Sequence, residues 1–304
     1  MSPAAKAVSN ARLSDLLDAR FMARLDRLDV LSRKILAGRR KGERRSKRRG
    51  QSVEFADHRQ YAHGDDLRFL DWNIYGRLDQ LFLKLFLEEQ DLSLHILVDV
   101  SGSTALGDPA KTLALKRLAA ALGYVGLVHN NRVSVACFAD GLTGQMSGMR
   151  GRKHAGPMAS LLVSARAEGP SRFEAACRQW AAARLGSGVT VVLSDFLFKE
   201  GYEAGLKRLV SDQFDLCAIQ VLSPQERRPE LIGDLRLVDT EDGDAAEVTV
   251  TAPLVKAYQR NLAAWCTGIK TFCARRGATY VLTDSAQSVE RLVLEQLRHA
   301  RLLG

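Results

Sequence analysis

From residue 92 onward, short apolar runs alternate with helical stretches, and this alternation decides most of what the chain can become. LSLHILVD (92–99), RVSVACF (132–138), VTVVLSD (189–195), FDLCAIQVL (214–222) and ATYVLTD (278–284) are nearly uninterrupted and rich in Val, Ile and Leu. Strands covered on both faces read this way. Helical candidates lie between them at about 109–130, 153–166, 172–185, 200–211 and 254–276, with a last one at 287–302. The order predicts an α/β fold, a doubly wound and mainly parallel sheet. DLRLVDTEDGDAAEVTVT (234–251) interrupts it as two alternating runs about Asp242–Gly243. That dipeptide suits a tight type I′ turn, so the segment is predicted to be an inserted hairpin.

With 304 residues, 46% of them apolar, the chain can build a full core. Composition excludes collagen, a disulfide miniprotein and a wholly disordered chain. No segment approaches the roughly 18 apolar residues of a membrane helix, and the N-terminus lacks the pattern of a secretory signal. Cys137, Cys177, Cys217, Cys266 and Cys273 form no C-x-x-C pair. Cys266 and Cys273, seven apart on one predicted helix face, read as buried thiols. The expected location is a reduced cytoplasm.

Leu13, Leu16, Leu17, Phe21, Leu25, Leu28, Leu31 and Ile35 recur at spacings of three and four, which predicts an amphipathic helix over 13–36. Gly38 ends it. The formal charge is +9, and it is concentrated: Arg39, Arg40, Lys41, Arg44, Arg45, Lys47, Arg48 and Arg49, with Glu43, give residues 39–49 a net +7. The expected organisation is an N-terminal helix and basic linker over 1–49, a charge- and aromatic-rich segment over 50–90 packing on the sheet domain, and the α/β domain over 91–304. Leu81 to Phe86 alternates as a strand.

Ligands of open α/β sheets gather at the carboxyl ends of the strands, where strand order reverses. The first core strand ends in Asp99-Val100-Ser101-Gly102-Ser103, a D-x-S-x-S motif. One carboxylate and two hydroxyls, each two residues apart, can point the same way from an extended strand end. They are hard oxygen donors suited to Mg²⁺ or Mn²⁺. Asp195 ends another strand, and Ser171 supplies a further hydroxyl just before a helix. Any position left to water could accept a partner's carboxylate. The bland alternative for Asp99 and Ser101 is a turn with a helix cap. Asp284, also at a strand end, reads as a turn residue.

D-x-S-x-S, a Gly-x-Ser loop and a later strand-end Asp resemble the metal-ion-dependent adhesion site of von Willebrand factor A-type domains. Upstream, Arg59-x-Tyr61-x-x-Gly64-Asp65-Asp66-x-Arg68-x-x-Asp71-Trp72 resembles the signature of domain-of-unknown-function family 58, with Phe55, Lys84 and Glu89 fitting the same family. The resemblance runs from about residue 38 to the C-terminus and implies a von Willebrand factor A-like sheet domain. It implies Asp99, Ser101 and Ser103 as direct metal ligands, Ser171 in place of the usual Thr, and Asp195 completing the site. Phe196 stands where Gly is commoner. Many members carry membrane helices ahead of the signature; this chain resembles a soluble member. The family is associated with MoxR-type AAA+ ATPases, as adaptors in assembling or activating other proteins.

For Arg59, Arg68 and Asp71 the residues favour a buried or half-buried Arg–Asp network over a partner-docking face anchored by Tyr61 and Trp72. Asp65–Asp66, beside Gly64, stays open between the two. The basic run reads first as a solvated linker, then as a contact for an acidic protein, then as a polyanion or nucleic-acid contact; it lacks aromatic side chains for base stacking. The chain has no P-loop, no G-x-G-x-x-G after a strand and no G-x-S-x-G elbow. A metal-dependent hydrolase is the remaining enzymatic alternative, and the expectation is no catalysis.

Overall fold

The computed structural model describes residues 13–32, 54–87, 92–183, 188–210 and 214–304. The chain forms two compact units, residues up to 36 together with 92–304, and residues 37–91. The basic run (Arg39, Arg40, Lys41, Arg44, Arg45, Lys47, Arg48, Arg49), residues 33–36 of the predicted first helix, and Glu89 lie outside the described residues.

The N-terminal stretch differs from its expectation. Helix α1 spans only Ala19–Leu25, capped by the Asp18 side chain on the Phe21 N–H (2.8 Å). Regular apolar spacing over 13–31 arises because the chain packs a turn, a short helix and an extended end onto one surface. Leu16, Leu17, Phe21, Leu25, Leu28 and Val30 are all buried in the main core. Val30 bridges Leu303, and Asp29 and Gly304 exchange backbone hydrogen bonds (3.2 and 2.9 Å).

In the smaller unit, strand β1 (Glu54–Gln60) pairs antiparallel with β2 (Phe82–Leu87), and helix α2 (Trp72–Leu78) lies between them in sequence. Asp71 caps α2 through the Asn73 N–H (2.9 Å) and also meets His58 (3.0 Å) and Lys84 (3.4 Å). The His58 bond, the two α2 N–H groups and Lys84 hold its carboxyl down at about 2. Arg59 forks onto Asp65 (both contacts 2.9 Å), and Asp65 also takes the Ala62 N–H across the Gly64 turn. Arg68 pairs with Asp66 (2.6 Å) and is 83% exposed. In place of the expected buried or half-buried network joining Arg59, Arg68 and Asp71, there are two local pairs, each an exposed arginine on a half-buried aspartate. Asp71 is the buried member of the signature, and its partners are His58 and Lys84. Trp72 is 64% exposed and meets Tyr75 edge-on.

The larger unit alternates as expected. In chain order it runs β3 (Ser93–Asp99), α3 (Lys111–Val128), β4 (Arg132–Ala139), β5 (Gly141–Met149), α4 (Ala155–Ser164), α5 (Phe173–Ala182), β6 (Gly188–Ser194), α6 (Glu203–Leu209) and β7 (Phe214–Leu222). A one-turn α7 (Pro224–Arg227), β8 (Gly233–Val238), β9 (Ala245–Val250), α8 (Ala252–Arg275) and β10 (Thr279–Asp284) follow. The last helical stretch contains a π segment, Leu292–Gln296. The six-stranded sheet has the order β10-β7-β6-β3-β4-β5, parallel except for β5, which runs antiparallel to β4. It is a doubly wound α/β fold. β5 is absent from the sequence expectation because GLTGQMSGM, an edge strand with alternating exposure, has little of the apolar density of its neighbours.

Side-chain alternation on the central strands builds a core on each face. Leu94, Ile96 and Val98 join Leu115, Leu118 and Leu122 of α3 and the buried N-terminal residues. Leu97 joins Phe173, Trp180, Phe196 and Phe198 on the other face. β8 and β9 pair only with each other in the described sheets, with Val238 opposite Ala245. The loop therefore runs from 239 to 244, longer than the expected two-residue turn, and Asp239 stiffens it by accepting the Glu241 N–H (2.8 Å).

Candidate functional site

Successive connections leave β3 first toward β4 and later toward β6, so strand order reverses at the β3–β6 pair. The carboxyl ends of those two strands carry Asp99 and Ser194-Asp195. Asp99 is fully buried. Its Oδ1 accepts the Ser101 N–H (2.9 Å) and hydroxyl (2.6 Å), and its Oδ2 accepts the Ser194 hydroxyl (2.6 Å). The Ser101 and Ser103 hydroxyls stand 3.2 Å apart. Asp99, Ser101 and Ser103 thus bring their side-chain oxygens together at the strand end, and the Asp99–Ser101 contact is also a local turn of the kind the cap reading describes.

The Gly169–Ser171 loop reaches the same place, since the Gly102 N–H donates to the Gly169 carbonyl (2.9 Å). Ser171 Oγ is buried and finds no hydrogen-bond partner among the described residues. A buried hydroxyl left unsatisfied costs on the order of 1–3 kcal/mol. Together with one carboxylate and the Ser101 and Ser103 hydroxyls, it makes a hard-oxygen set of the kind Mg²⁺ or Mn²⁺ takes, and these residues fit such an ion. Among the described residues, no three His, Cys, Asp or Glu side chains are grouped so as to hold a metal ion.

Asp195 is placed beside Asp99 but is engaged elsewhere. Its Oδ2 accepts from Lys111 Nζ (2.6 Å), and its Oδ1 accepts the Leu197 N–H (3.1 Å). Lys111, the first residue of α3, is entirely buried and also bonds Glu226 of α7. Burial pulls the ammonium down, but Asp195 and Glu226 outweigh it and hold its pKa above the ordinary value. Among the described residues no cation pairs with Asp99: burial first, then the nearby Asp195, push its carboxyl up to about 7. Lys111, Ser194 and Glu226 escape sequence reasoning. Lys111 and Glu226 stand in helices as ordinary charged residues, and nothing local reveals that the fold buries them against a strand-end acid.

The departure at Phe196 has a structural reason. Its backbone is left-handed (φ 53°), the region in which Gly is favoured and other residues carry strain. Three contacts compensate: its N–H donates to Ser194 Oγ (2.8 Å), its carbonyl accepts the Trp265 indole N–H (2.9 Å), and its ring packs among Phe173 and Phe198. Behind it, the Asp195 carbonyl accepts from Gln220 (2.7 Å), which in turn accepts the Tyr280 hydroxyl. All five cysteines are buried and form no disulfide with one another, and burial pushes Cys137 up to about 12, so it is a packing residue rather than a nucleophile. His95 is buried edge-on against Trp180, as a core residue.

The family model described as Protein of unknown function DUF58 matches residues 57–266. Uncharacterized protein Rv1480 of Mycobacterium tuberculosis is 25% identical over 256 residues, covering 82% of this chain and 80% of that protein. Uncharacterized protein Mb1516 of Mycobacterium bovis matches to the same extent. Among solved structures, the conserved hypothetical protein BatB of Bacteroides thetaiotaomicron is 14% identical, covers 69% of this chain and 98% of that chain, and has a TM-score of 0.43. The SpRpn10 VWA domain is 10% identical, covers 67% and 94%, and has a TM-score of 0.40. The family match takes in the Arg59–Trp72 signature and the strand ends that carry Asp99 and Asp195, and it spans more than half of the 304 residues; the chain belongs to the DUF58 family of proteins of unknown function.

Proposed function

We propose that this protein is a non-enzymatic interaction module whose cation site captures an acidic side chain of a protein partner. The ion is Mg²⁺ or Mn²⁺. Asp99, Ser101, Ser103 and Ser171 hold it, and Asp195, charge-balanced by Lys111, flanks it. The observation that carries the reading is the unpartnered, buried Ser171 hydroxyl beside the Asp99–Ser101–Ser103 cluster at the strand-order reversal. A bound hard cation would satisfy that oxygen and replace the proton that burial favours on Asp99. Coordination positions not filled by the protein are the ones a partner's carboxylate takes. The cellular associate is a MoxR-type AAA+ ATPase, a choice that rests on the family resemblance.

The test is a thermal melt of wild type and Asp99→Ala with rising Mg²⁺ or Mn²⁺. Wild type is expected to gain stability as RT ln(1 + [ion]/Kd) while the variant stays flat. Equal gains in both proteins overturn the site. Affinity purification of the same pair in constant magnesium then reads the partner, which is expected on wild type alone.

A further inference from the structure

The inserted hairpin comes back over the strand ends. β8 and β9 are exposed along most of their length, with Ile232 just ahead of them at 80% exposure, yet the tip is held in place. Lys199, four residues beyond Asp195, bridges Asp239 (2.8 Å) and Asp242. The Thr240 carbonyl sits so close to Gly102 that a Cβ there would lie 2.9 Å from it. Glu241 accepts the Ser171 N–H (3.1 Å) through Oε2.

The charges at this tip are unevenly met. Asp239 and Asp242 share Lys199, whereas Glu241, half-buried, has no ion-pair partner among the described residues. A carboxylate without a cation therefore stands at the backbone of the same residue whose buried hydroxyl has no partner. Both groups offer oxygen lone pairs with no positive centre to receive them. One hard cation satisfies both.

We propose that Glu241 is an internal carboxylate ligand of the cation site, so that the hairpin tip fills the position through which a partner's carboxylate would reach the ion. The inference rests on the metal reading above. A partner then competes with Glu241, and the hairpin, which pairs with no other strand of the described sheets, is the element that lifts to admit it.

Mn²⁺ alone is the probe, added to the full-length chain. Calorimetry gives its affinity, and water-proton relaxation gives the number of waters on the bound ion. Glu241→Gln keeps the side chain's shape and its bond to Ser171 while removing the charge. It is expected to weaken Mn²⁺ about tenfold and to raise relaxivity per bound ion, because water takes the vacated position. Glu241→Asp, one methylene short, should move both readouts the same way and guards against a folding defect in the first variant. Wild-type affinity and relaxivity in Glu241→Gln overturn the inference, as does weaker affinity with unchanged relaxivity, which marks a distant charge and not a ligand. Asp99→Asn separates the two levels. If it abolishes binding while Glu241→Gln behaves as wild type, only the present inference falls; if it binds as wild type, the metal site itself falls.

Discussion

Lys111 shows how one residue can matter without being legible. Replacing it with Met would leave the Asp195 and Glu226 carboxylates without their cation, so the variant is expected to lose about 3–5 kcal/mol in urea unfolding. Asp99 makes a pH prediction. Its carboxyl titrates near 7 when folded, against 3.8 for the ordinary group. Between those values the folded chain keeps a proton that the unfolded chain has released. Without added metal, this contribution is fully present below about pH 4, drains away as pH rises to about 7, and is flat above. Melting temperatures in EDTA from pH 4 to 8 should follow that slope, and Asp99→Asn should lack it. Phe196→Gly sets two effects in opposition: relief of left-handed strain, about 1–2 kcal/mol, against loss of a buried ring, about 3–5 kcal/mol. The ring wins, and equilibrium unfolding should find the variant less stable. Asp99, Ser101, Ser103 and Ser171 could be singled out from sequence because their spacing and position at element ends are local facts. Lys111 and Ser194 could not, because their roles depend on which strands the topology makes neighbours.

At the scale of elements, the strands of the parallel sheet were readable because burial on both faces leaves continuous apolar runs, an unambiguous signal. β5 and the true length of α1 were not. An edge strand is half-wet and Gly-rich, and the 13–31 segment keeps helical spacing while only Ala19–Leu25 is helical. What fixes that segment is tertiary packing against α3 and the C-terminal stretch, a long-range fact. Tyr124 of α3 donates to Asp26 (2.9 Å), Arg117 to the Leu16 carbonyl (3.0 Å), and Phe21 is buried in the core that α3 shares. Phe21→Ala should therefore destabilise the whole sheet unit by about 3–5 kcal/mol, measured as one cooperative transition, and not merely fray an N-terminal arm.

At the scale of the molecule, the smaller unit is an insertion. The chain leaves the sheet unit after its N-terminal stretch and re-enters it at β3. The two ends lie close by within the larger unit: Asn131 meets Asp29 (3.4 Å), and the next residue, Arg132, donates to the Leu92 carbonyl (3.0 Å). Replacing residues 37–91 with a short Gly/Ser linker is expected to leave a folded, cooperatively melting sheet unit, checked by circular dichroism; loss of the transition would show that the inserted unit is required for folding. The +9 charge divides along the same seam, with +7 of it in residues 39–49 at the start of the insertion. The buried Lys111 has a consequence at this scale too. With an ammonium set against Asp195 and a proton able to sit on Asp99, the strand ends can balance their own charge before any ion arrives. The fold is then expected to stay complete under chelation, unlike a zinc finger. Were the proposed cation to bind, its occupancy would then follow the free magnesium around the protein and report on the solution it works in.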